Sequence, residues 1–150
     1  VHAAVTFGGL TPISMHKPDA WLRAMHVNVN APFALTQACL PLLGKASDSA
    51  VVFVLDDPEL LQRAHWGAYG ASKAALERFV AILHEETDSS PLRVHAMLPA
   101  PMRTSLRQQA YFGEDIMQRA LPDAAAAAAV YLLSAQGVAA RGAVLDLRGD

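Results

Sequence analysis

A tyrosine and a lysine four residues apart, Tyr69 and Lys73, are the residues of this sequence best suited to chemistry. At that spacing both side chains lie on one face of a helix. A nearby ammonium favours the charged form of a phenol and lowers its pKa by roughly 1–3 units. A phenol tuned in this way transfers a proton at a carbon-bound oxygen near neutral pH. The alternative is a half-exposed tyrosine at a helix start beside a solvated lysine.

Two further segments flank this pair and give it a context. Val27–Phe33 (VNVNAPF) lies upstream and Leu98–Thr104 (LPAPMRT) lies downstream. The order and spacing of the three segments resemble the short-chain dehydrogenase/reductase family. The resemblance runs from about Val1 to Gly149 and covers the later part of a normal family member. It implies a Rossmann-like, doubly wound parallel sheet, of which this chain would supply the later strands and helices.

The resemblance implies hydride transfer between a nicotinamide cofactor, NAD or NADP, and a small carbonyl or alcohol substrate. Tyr69 would be the acid/base, and Lys73 would lower the tyrosine pKa and bind the nicotinamide ribose. Asn28 would hold a proton-relay water, and Asp56 falls at the position of the family's catalytic serine. The positions that the resemblance assigns to cofactor binding are Ala3, Ala4, Tyr69, Lys73, Pro99, Met102 and Thr104.

Several positions depart from the family pattern. The catalytic serine normally donates a hydrogen bond to the carbonyl oxygen, whereas an ionised aspartate such as Asp56 only accepts. Losing one such donor typically costs about 10²–10³ in rate. Ala3-Ala4-Val5 stands where the family has Asn-Ala-Gly, and Pro99-Ala100 replaces its proline-glycine pair. No glycine-rich phosphate loop is present in the 150 residues. We therefore expect these residues alone to bind cofactor weakly.

At the other candidate positions, purely structural interpretations remain open. Asn28 and Thr104 have the residue types of helix caps, and Asp56 with Asp57 resembles a turn at the end of a strand. Arg103 and Arg107 form either a solvated face or a contact to a cofactor 2′-phosphate. The six histidines show no metal-ligand spacing, so we expect no metal site.

The hydrophobic pattern predicts alternating strands and helices, and therefore a parallel sheet covered on both faces. The long helix over 67–87 has an apolar face at Leu76, Phe79, Val80 and Leu83. The predicted strands are the end of one at 1–5, then 50–55, Arg93–Leu98 and Ala143–Leu147. The predicted helices are Pro18 to about His26, Ala31–Leu43, Gly67–Thr87, residues 102–119, and one that starts at Pro122-Asp123. The predicted loops cover 6–17 and 56–66.

Composition favours one soluble domain over residues 1–150, lacking the N-terminal glycine-rich part. Apolar residues make up 53% and charged residues 17%, so disorder is excluded. A net charge of −2 gives no reason to expect nucleic acid or an anionic membrane as partner. Cys39 is the single cysteine, which suits a reducing, cytoplasmic compartment. Val1 starts mid-strand, so we expect either a processed piece or a sequence without its N-terminal half.

Two functions therefore stay open. The first is an NAD(P)-dependent oxidoreductase, and the second is a non-catalytic relative that keeps the fold as an oligomerisation or interaction module. In both cases we expect a homodimer or homotetramer, because the family pairs subunits through its two long helices. Here these helices are Ala31–Leu43 and Gly67–Thr87. Their apolar residues cover more of the helix circumference than packing on one sheet face requires, and they include Phe33, Leu40, Leu76 and Phe79. The open sheet edge left by a chain that starts mid-strand adds a second surface prone to pairing.

Overall fold

The computed structural model describes residues 1–149, and these form three strands and six α-helices in alternating order. The elements are α1 (Pro18–Met25), α2 (Ala31–Leu43), β1 (Ser49–Val54), α3 (Pro58–Leu61), α4 (Gly67–Thr87), β2 (Leu92–Leu98), α5 (Ser105–Ala110), α6 (Asp123–Leu133) and β3 (Val144–Asp146). A π-helical turn, His26–Asn30, joins α1 to α2, and short 3₁₀ turns occur at Ile13–Met15, Ile116–Gln118 and Ala135–Ala140.

The three strands form one parallel sheet in the order β1-β2-β3. Ser49 pairs with Leu92 at the start of β1, and Ala96 pairs with Val144 at the start of β3. Every residue of β2 is buried, as expected for a parallel strand with helices on both faces. The predicted parallel α/β architecture is confirmed.

Alternate residues of β1 point into two separate cores. Val51 and Phe53 pack with Leu76, Val80 and Leu83 of α4 on one face. On the other face Val52 packs with Met97 and with Leu132 of α6. The predicted apolar face of α4 is therefore core, and burial of each such side chain contributes about 1.5–3 kcal/mol.

The N-terminal residues pair with the sheet at one point only. His2 donates its N–H to the Val52 carbonyl and accepts from the N–H of Val54, at 2.8 and 3.1 Å. The prediction of a strand over 1–5 is therefore wrong in extent. Farther along the chain, the backbone of Thr6 bonds to the side chain of Asn28 and not to a strand.

The predicted helix over 102–119 is also wrong. Its helical part is α5 alone, after which the chain turns and forms one 3₁₀ turn at Ile116–Gln118. Gly113 interrupts the helical pattern, and the Asp115 carboxylate accepts the N–H of Met117 to start the new turn. Glu114 holds this segment together by ion pairs with Arg107 and Arg119.

Smaller differences concern the ends of other elements. The predicted loop over 56–66 contains α3, because the Asp57 side chain accepts the N–H of Glu59 and caps a short helix that begins at Pro58. Pro122 is the N-cap of α6 and not its first helical residue. Among residues 1–149, no helix is long and apolar enough to cross a membrane, and no cluster of potential metal ligands occurs.

Candidate active site

A cleft of about 820 Å³ opens at the carboxyl ends of the three strands. Its walls include Asp56, which follows β1, Pro99, which follows β2, and Arg148, which follows β3. Tyr69 and Lys73 reach the same cleft from the first turns of α4. This is the edge at which ligands bind in open α/β sheets.

Tyr69 is buried, and its hydroxyl donates a hydrogen bond of 2.6 Å to Oδ2 of Asp56. Burial raises the pKa of this phenol above its ordinary value, and the charge and hydrogen bond of Asp56 raise it further. Both effects disfavour the phenolate. The net shift of the Tyr69 pKa in this arrangement is therefore upward. The ammonium lies 5.9 Å from the centre of the tyrosine ring and does not outweigh burial and the adjacent carboxylate.

Lys73 is 6% exposed, and its Nζ donates a 2.8 Å hydrogen bond to the Val54 carbonyl. Burial lowers the pKa of this ammonium to about 8, although the charge of Asp56 acts in the opposite direction. Among residues 1–149, Val54 is the only hydrogen-bond partner of the ammonium. Two of its three N–H groups therefore remain for a ligand in the cleft.

Asn28 lies behind the cleft and does not line it. Its side chain is 1% exposed and makes three hydrogen bonds. Oδ1 accepts the N–H of Thr6, while Nδ2 donates to the Thr6 carbonyl and to Oγ of Ser72. These partners are distant in sequence, so the helix-cap interpretation of Asn28 does not hold.

Ser72 is a site residue that the sequence analysis missed. Its hydroxyl accepts from Asn28 and donates to the carbonyl of Tyr69, both at 2.8 Å. It thereby ties the first turn of α4 to the π-helical turn and to Thr6. A serine three residues after Tyr69 was a usable signal, because serine hydroxyls in helices bond back to the carbonyl one turn earlier.

Most positions assigned to cofactor contacts lie on the cleft wall. Ala3, Pro99, Met102 and Thr104 line it, whereas Ala4 does not. The Thr104 side chain accepts the N–H of Arg107 at 3.2 Å and caps α5, so the capping interpretation is confirmed. Its hydroxyl hydrogen is not used by that bond.

A wall of aromatic rings adjoins Tyr69 and was not predicted. Phe7 lies 5.5 Å from Tyr69 and 5.7 Å from Trp66 between ring centres, and Trp66 lies 6.0 Å from Tyr111. All four rings line the cleft. This wall gives the space next to the Tyr69 hydroxyl an apolar, aromatic side.

The arginines near the cleft are paired with acceptors of the chain. Arg107 lies 4.3 Å above the Tyr111 ring and bonds to both oxygens of Glu114. Arg148 pairs with Asp57 at 2.9 Å and with Asp146. Arg103 donates to the carbonyls of Met117 and Arg119. Part of each guanidinium is therefore used within the chain, and each arginine is held in place by these bonds.

The residues present fit one end of a nicotinamide dinucleotide. Lys73 has unused N–H donors at the cleft, and Thr104 has an unused hydroxyl hydrogen, which suits ribose hydroxyls and a carboxamide. For the pyrophosphate, residues 1–149 present no glycine-rich turn at the start of a helix. The fit is therefore to the nicotinamide riboside and not to the phosphates.

A parallel sheet covered by helices, with a cleft at its carboxyl edge, defines a Rossmann-like α/β protein. The family model for short chain dehydrogenases matches residues 1–114. The chain belongs to this family.

Two relatives show how the similarity is distributed. The "uncharacterized oxidoreductase YciK" of Escherichia coli is 42% identical over 115 residues, which cover 77% of this chain and 45% of YciK. The (S)-benzoin-forming benzil reductase of Saccharomyces cerevisiae is 33% identical over 97 residues, which cover 63% of this chain and 36% of the reductase.

Solved structures extend the similarity to nearly the whole chain. A short chain dehydrogenase from Salmonella enterica superposes with a TM-score of 0.89 at 35% identity, covering 96% of this chain and 59% of that one. An Escherichia coli short chain dehydrogenase in complex with NADPH superposes with a TM-score of 0.88 at 36% identity, covering 95% and 59%. The chain thus spans less than two thirds of the length of each relative described.

Proposed function

We propose that this chain carries the catalytic part of an NAD(P)-dependent oxidoreductase that acts on the carbonyl or alcohol group of a small molecule. The observation that carries the proposal is the convergence of Tyr69, Lys73 and Asp56 in one cleft at the carboxyl edge of the sheet. Membership of the short chain dehydrogenase family and the NADPH complex of a relative support it. The alternative of a non-catalytic module gains no support, because the relatives are named as oxidoreductases and dehydrogenases.

Each polar side chain of the cleft has a role in this proposal. A bound nicotinamide supplies or removes the hydride. Lys73 holds the ribose with the N–H groups that Val54 leaves unused, and Ala3, Pro99, Met102 and Thr104 border the nicotinamide. Tyr69 exchanges the proton with the substrate oxygen. Asn28 is a positioning residue, because its bonds to Ser72 and Thr6 hold the start of α4 in place.

The aromatic wall supports a substrate with an apolar group. Phe7, Trp66 and Tyr111 surround the side of the cleft next to Tyr69. Rings pack favourably against further rings in offset or edge-on arrangements. The name of the yeast relative, a reductase of benzil, agrees with a substrate of this type.

Calorimetric titration of the full-length protein with NADPH and with NADH tests the proposal. We expect saturable binding of at least one cofactor, followed by reduction of an aromatic ketone such as acetophenone. Tyr69→Phe is expected to retain binding and to lower turnover by about 10²–10⁴, the usual contribution of a general acid. Full-length protein that binds neither cofactor would contradict the proposal.

A binding experiment with residues 1–150 alone distinguishes recognition of the nicotinamide end of the cofactor from recognition of its phosphates. Because they offer no glycine-rich turn for the pyrophosphate, we expect this segment to bind NADPH weakly and to turn over ketones at the background rate. Tight, saturable binding by residues 1–150 alone would show that a phosphate anchor exists outside the glycine-rich pattern.

A further inference from the structure

We propose that Asp56 is the final proton acceptor in alcohol oxidation and takes the proton of the substrate alcohol through the hydroxyl of Tyr69. The inference rests on the proposed oxidoreductase function and deepens it. It assigns a catalytic role to Asp56, the aspartate at the serine position. It also makes secondary alcohols with an apolar group the preferred substrate class.

The directions of the hydrogen bonds carry this inference. A tyrosine hydroxyl has one hydrogen, and here that hydrogen is donated to Oδ2 of Asp56 at 2.6 Å. The lone pairs of the same oxygen are therefore what Tyr69 can offer to a substrate. Oδ1 of Asp56 is also an acceptor and already receives the N–H of Asp57 at 2.8 Å.

An alcohol complements this arrangement better than a carbonyl does. Its O–H donates to the Tyr69 oxygen, whereas a carbonyl oxygen would face lone pairs of Tyr69 and Asp56. A serine in place of Asp56 would donate a hydrogen bond to a carbonyl oxygen, and the carboxylate cannot. The exchange of serine for aspartate thus changes the site from one that donates hydrogen bonds to one that accepts them.

The step balances without a free phenolate. The alcohol O–H proton moves to the Tyr69 oxygen while the Tyr69 proton moves to Oδ2 of Asp56. The C–H electron pair leaves the carbinol carbon as hydride, with the oxidised nicotinamide dinucleotide as acceptor, and the O–H pair becomes the second bond of the C=O. Tyr69 is neutral before and after the step. The raised pKa of Tyr69 is compatible with this path, because the phenolate need not accumulate.

Several charged or titratable groups surround the Tyr69–Asp56 pair. Lys73 is the cation closest to the pair on α4, and Arg148 compensates the second carboxylate, Asp57, from the segment after β3. Tyr111 faces the pair from the segment after α5, with Arg107 above its ring. The titratable or charged groups to consider in a pH profile are therefore Asp57, Lys73, Arg107, Tyr111 and Arg148.

Alkaline titration of tyrosinate absorbance tests the Tyr69–Asp56 pair without cofactor. Subtraction of the Tyr69→Phe variant isolates the Tyr69 transition from those of the other tyrosines. Asp56→Asn removes the negative charge beside the phenol, so we expect it to move that transition to lower pH. An unchanged Tyr69 transition in folded Asp56→Asn protein overturns the proposal.

Kinetics of the full-length protein test the proton path itself, with 1-phenylethanol and NADP⁺ or NAD⁺ as probes. We expect Asp56→Asn to lower kcat at neutral pH by about 10² or more, the usual contribution of a general base. Asp88→Asn, which removes an exposed carboxylate at the far end of α4, is the matched control and should keep the wild-type pH profile.

The outcomes separate this inference from the proposed function. Wild-type protein that binds cofactor and reduces acetophenone, but does not oxidise 1-phenylethanol at neutral pH, would overturn the proton path and leave the oxidoreductase proposal intact. Equal oxidation rates for wild type and Asp56→Asn at neutral pH would do the same. Protein that binds no cofactor would overturn both.

Discussion

Tyr69 lies between a cation and an anion, and its protonation depends on which neighbour is better placed. The Asp56 carboxylate is in hydrogen-bond contact at 2.6 Å, whereas Nζ of Lys73 lies 5.9 Å from the ring centre and bonds to the Val54 carbonyl. Coulomb energy falls with distance, and burial adds a penalty on the phenolate. Burial and the carboxylate therefore prevail, and Tyr69 stays protonated in the protein without ligand.

Lys73 gives a pH-dependent prediction at the same scale. Its pKa of about 8, against an ordinary 10.5, means that the unfolded chain binds this proton more tightly than the folded chain. The stability penalty is complete below pH 8 and disappears as the pH rises to 10.5. It corresponds to about 3 kcal/mol. We expect urea unfolding to show wild type gaining that much relative to Lys73→Met between these pH values.

Lys45→Met is the matched control for this experiment. Lys45 is exposed after the end of α2, so its replacement removes a lysine without removing a buried charge. If the difference between wild type and Lys73→Met does not change with pH, the ammonium of Lys73 is solvated in the folded chain.

At the scale of elements, Arg93 attaches the end of α6 to the sheet. It points from β2 and is 3% exposed. Its guanidinium donates to the carbonyls of Leu132 and Ser134 at 2.9 and 3.0 Å and to Asp48 at 2.8 Å. The last carbonyls of a helix lack partners within the helix. Arg93 donates hydrogen bonds to these carbonyls and thereby fixes the position of α6. Ala125 and Ala129 of this helix border the cleft.

We predict that Arg93→Met destabilises the protein by about 3 kcal/mol or more, because hydrogen bonds to charged groups contribute about 1.5–3 kcal/mol each. The measurement is the free energy of unfolding in urea. Asp48→Asn is the control, because Asp48 is 56% exposed and an exposed ion pair contributes about 1 kcal/mol or less. Equal effects of the two substitutions would show that the carbonyls of α6 do not depend on Arg93.

At the scale of the whole molecule, the outer faces of α2 and α4 carry exposed apolar side chains. Phe33, Leu42 and Ile82 are 46%, 71% and 51% exposed. Leu76, which the sequence analysis placed on this outer face, lies in the core, and Phe79 is half-buried between Phe33 and Phe53. Exposed apolar residues on the outer faces of helices are typical of a protein interface.

We therefore predict a homodimer or homotetramer formed through α2 and α4. Light scattering should give a mass of at least two chains, and the double variant Phe33→Glu, Ile82→Glu should reduce it. Val138→Glu is the control, because Val138 is a similarly exposed apolar residue in the 3₁₀ turn after α6. A wild-type protein that remains monomeric and soluble at high concentration would contradict this prediction.

Features that depend on local spacing were predictable from the amino-acid pattern alone. The four-position spacing of Tyr69 and Lys73 places both on one helical face, and buried apolar runs such as Val51–Leu55 predict strands of a covered parallel sheet. The α/β architecture, the extents of α2 and α4, and the cleft at the strand ends follow from such patterns. The prediction of one helix over 102–119 is wrong because Gly113 interrupts the pattern and Asp115 caps a separate turn.

The interactions between these residues depend on packing between elements that are distant in sequence. The Asp56 partner of Tyr69 lies 13 positions earlier in the chain, and Asn28 is 44 positions from Ser72. Such contacts, and the burial that raises the Tyr69 pKa and lowers that of Lys73, arise when strands and helices pack together. Desolvation depends on every neighbour in space, whereas the local spacing of a motif reports only those along one helix.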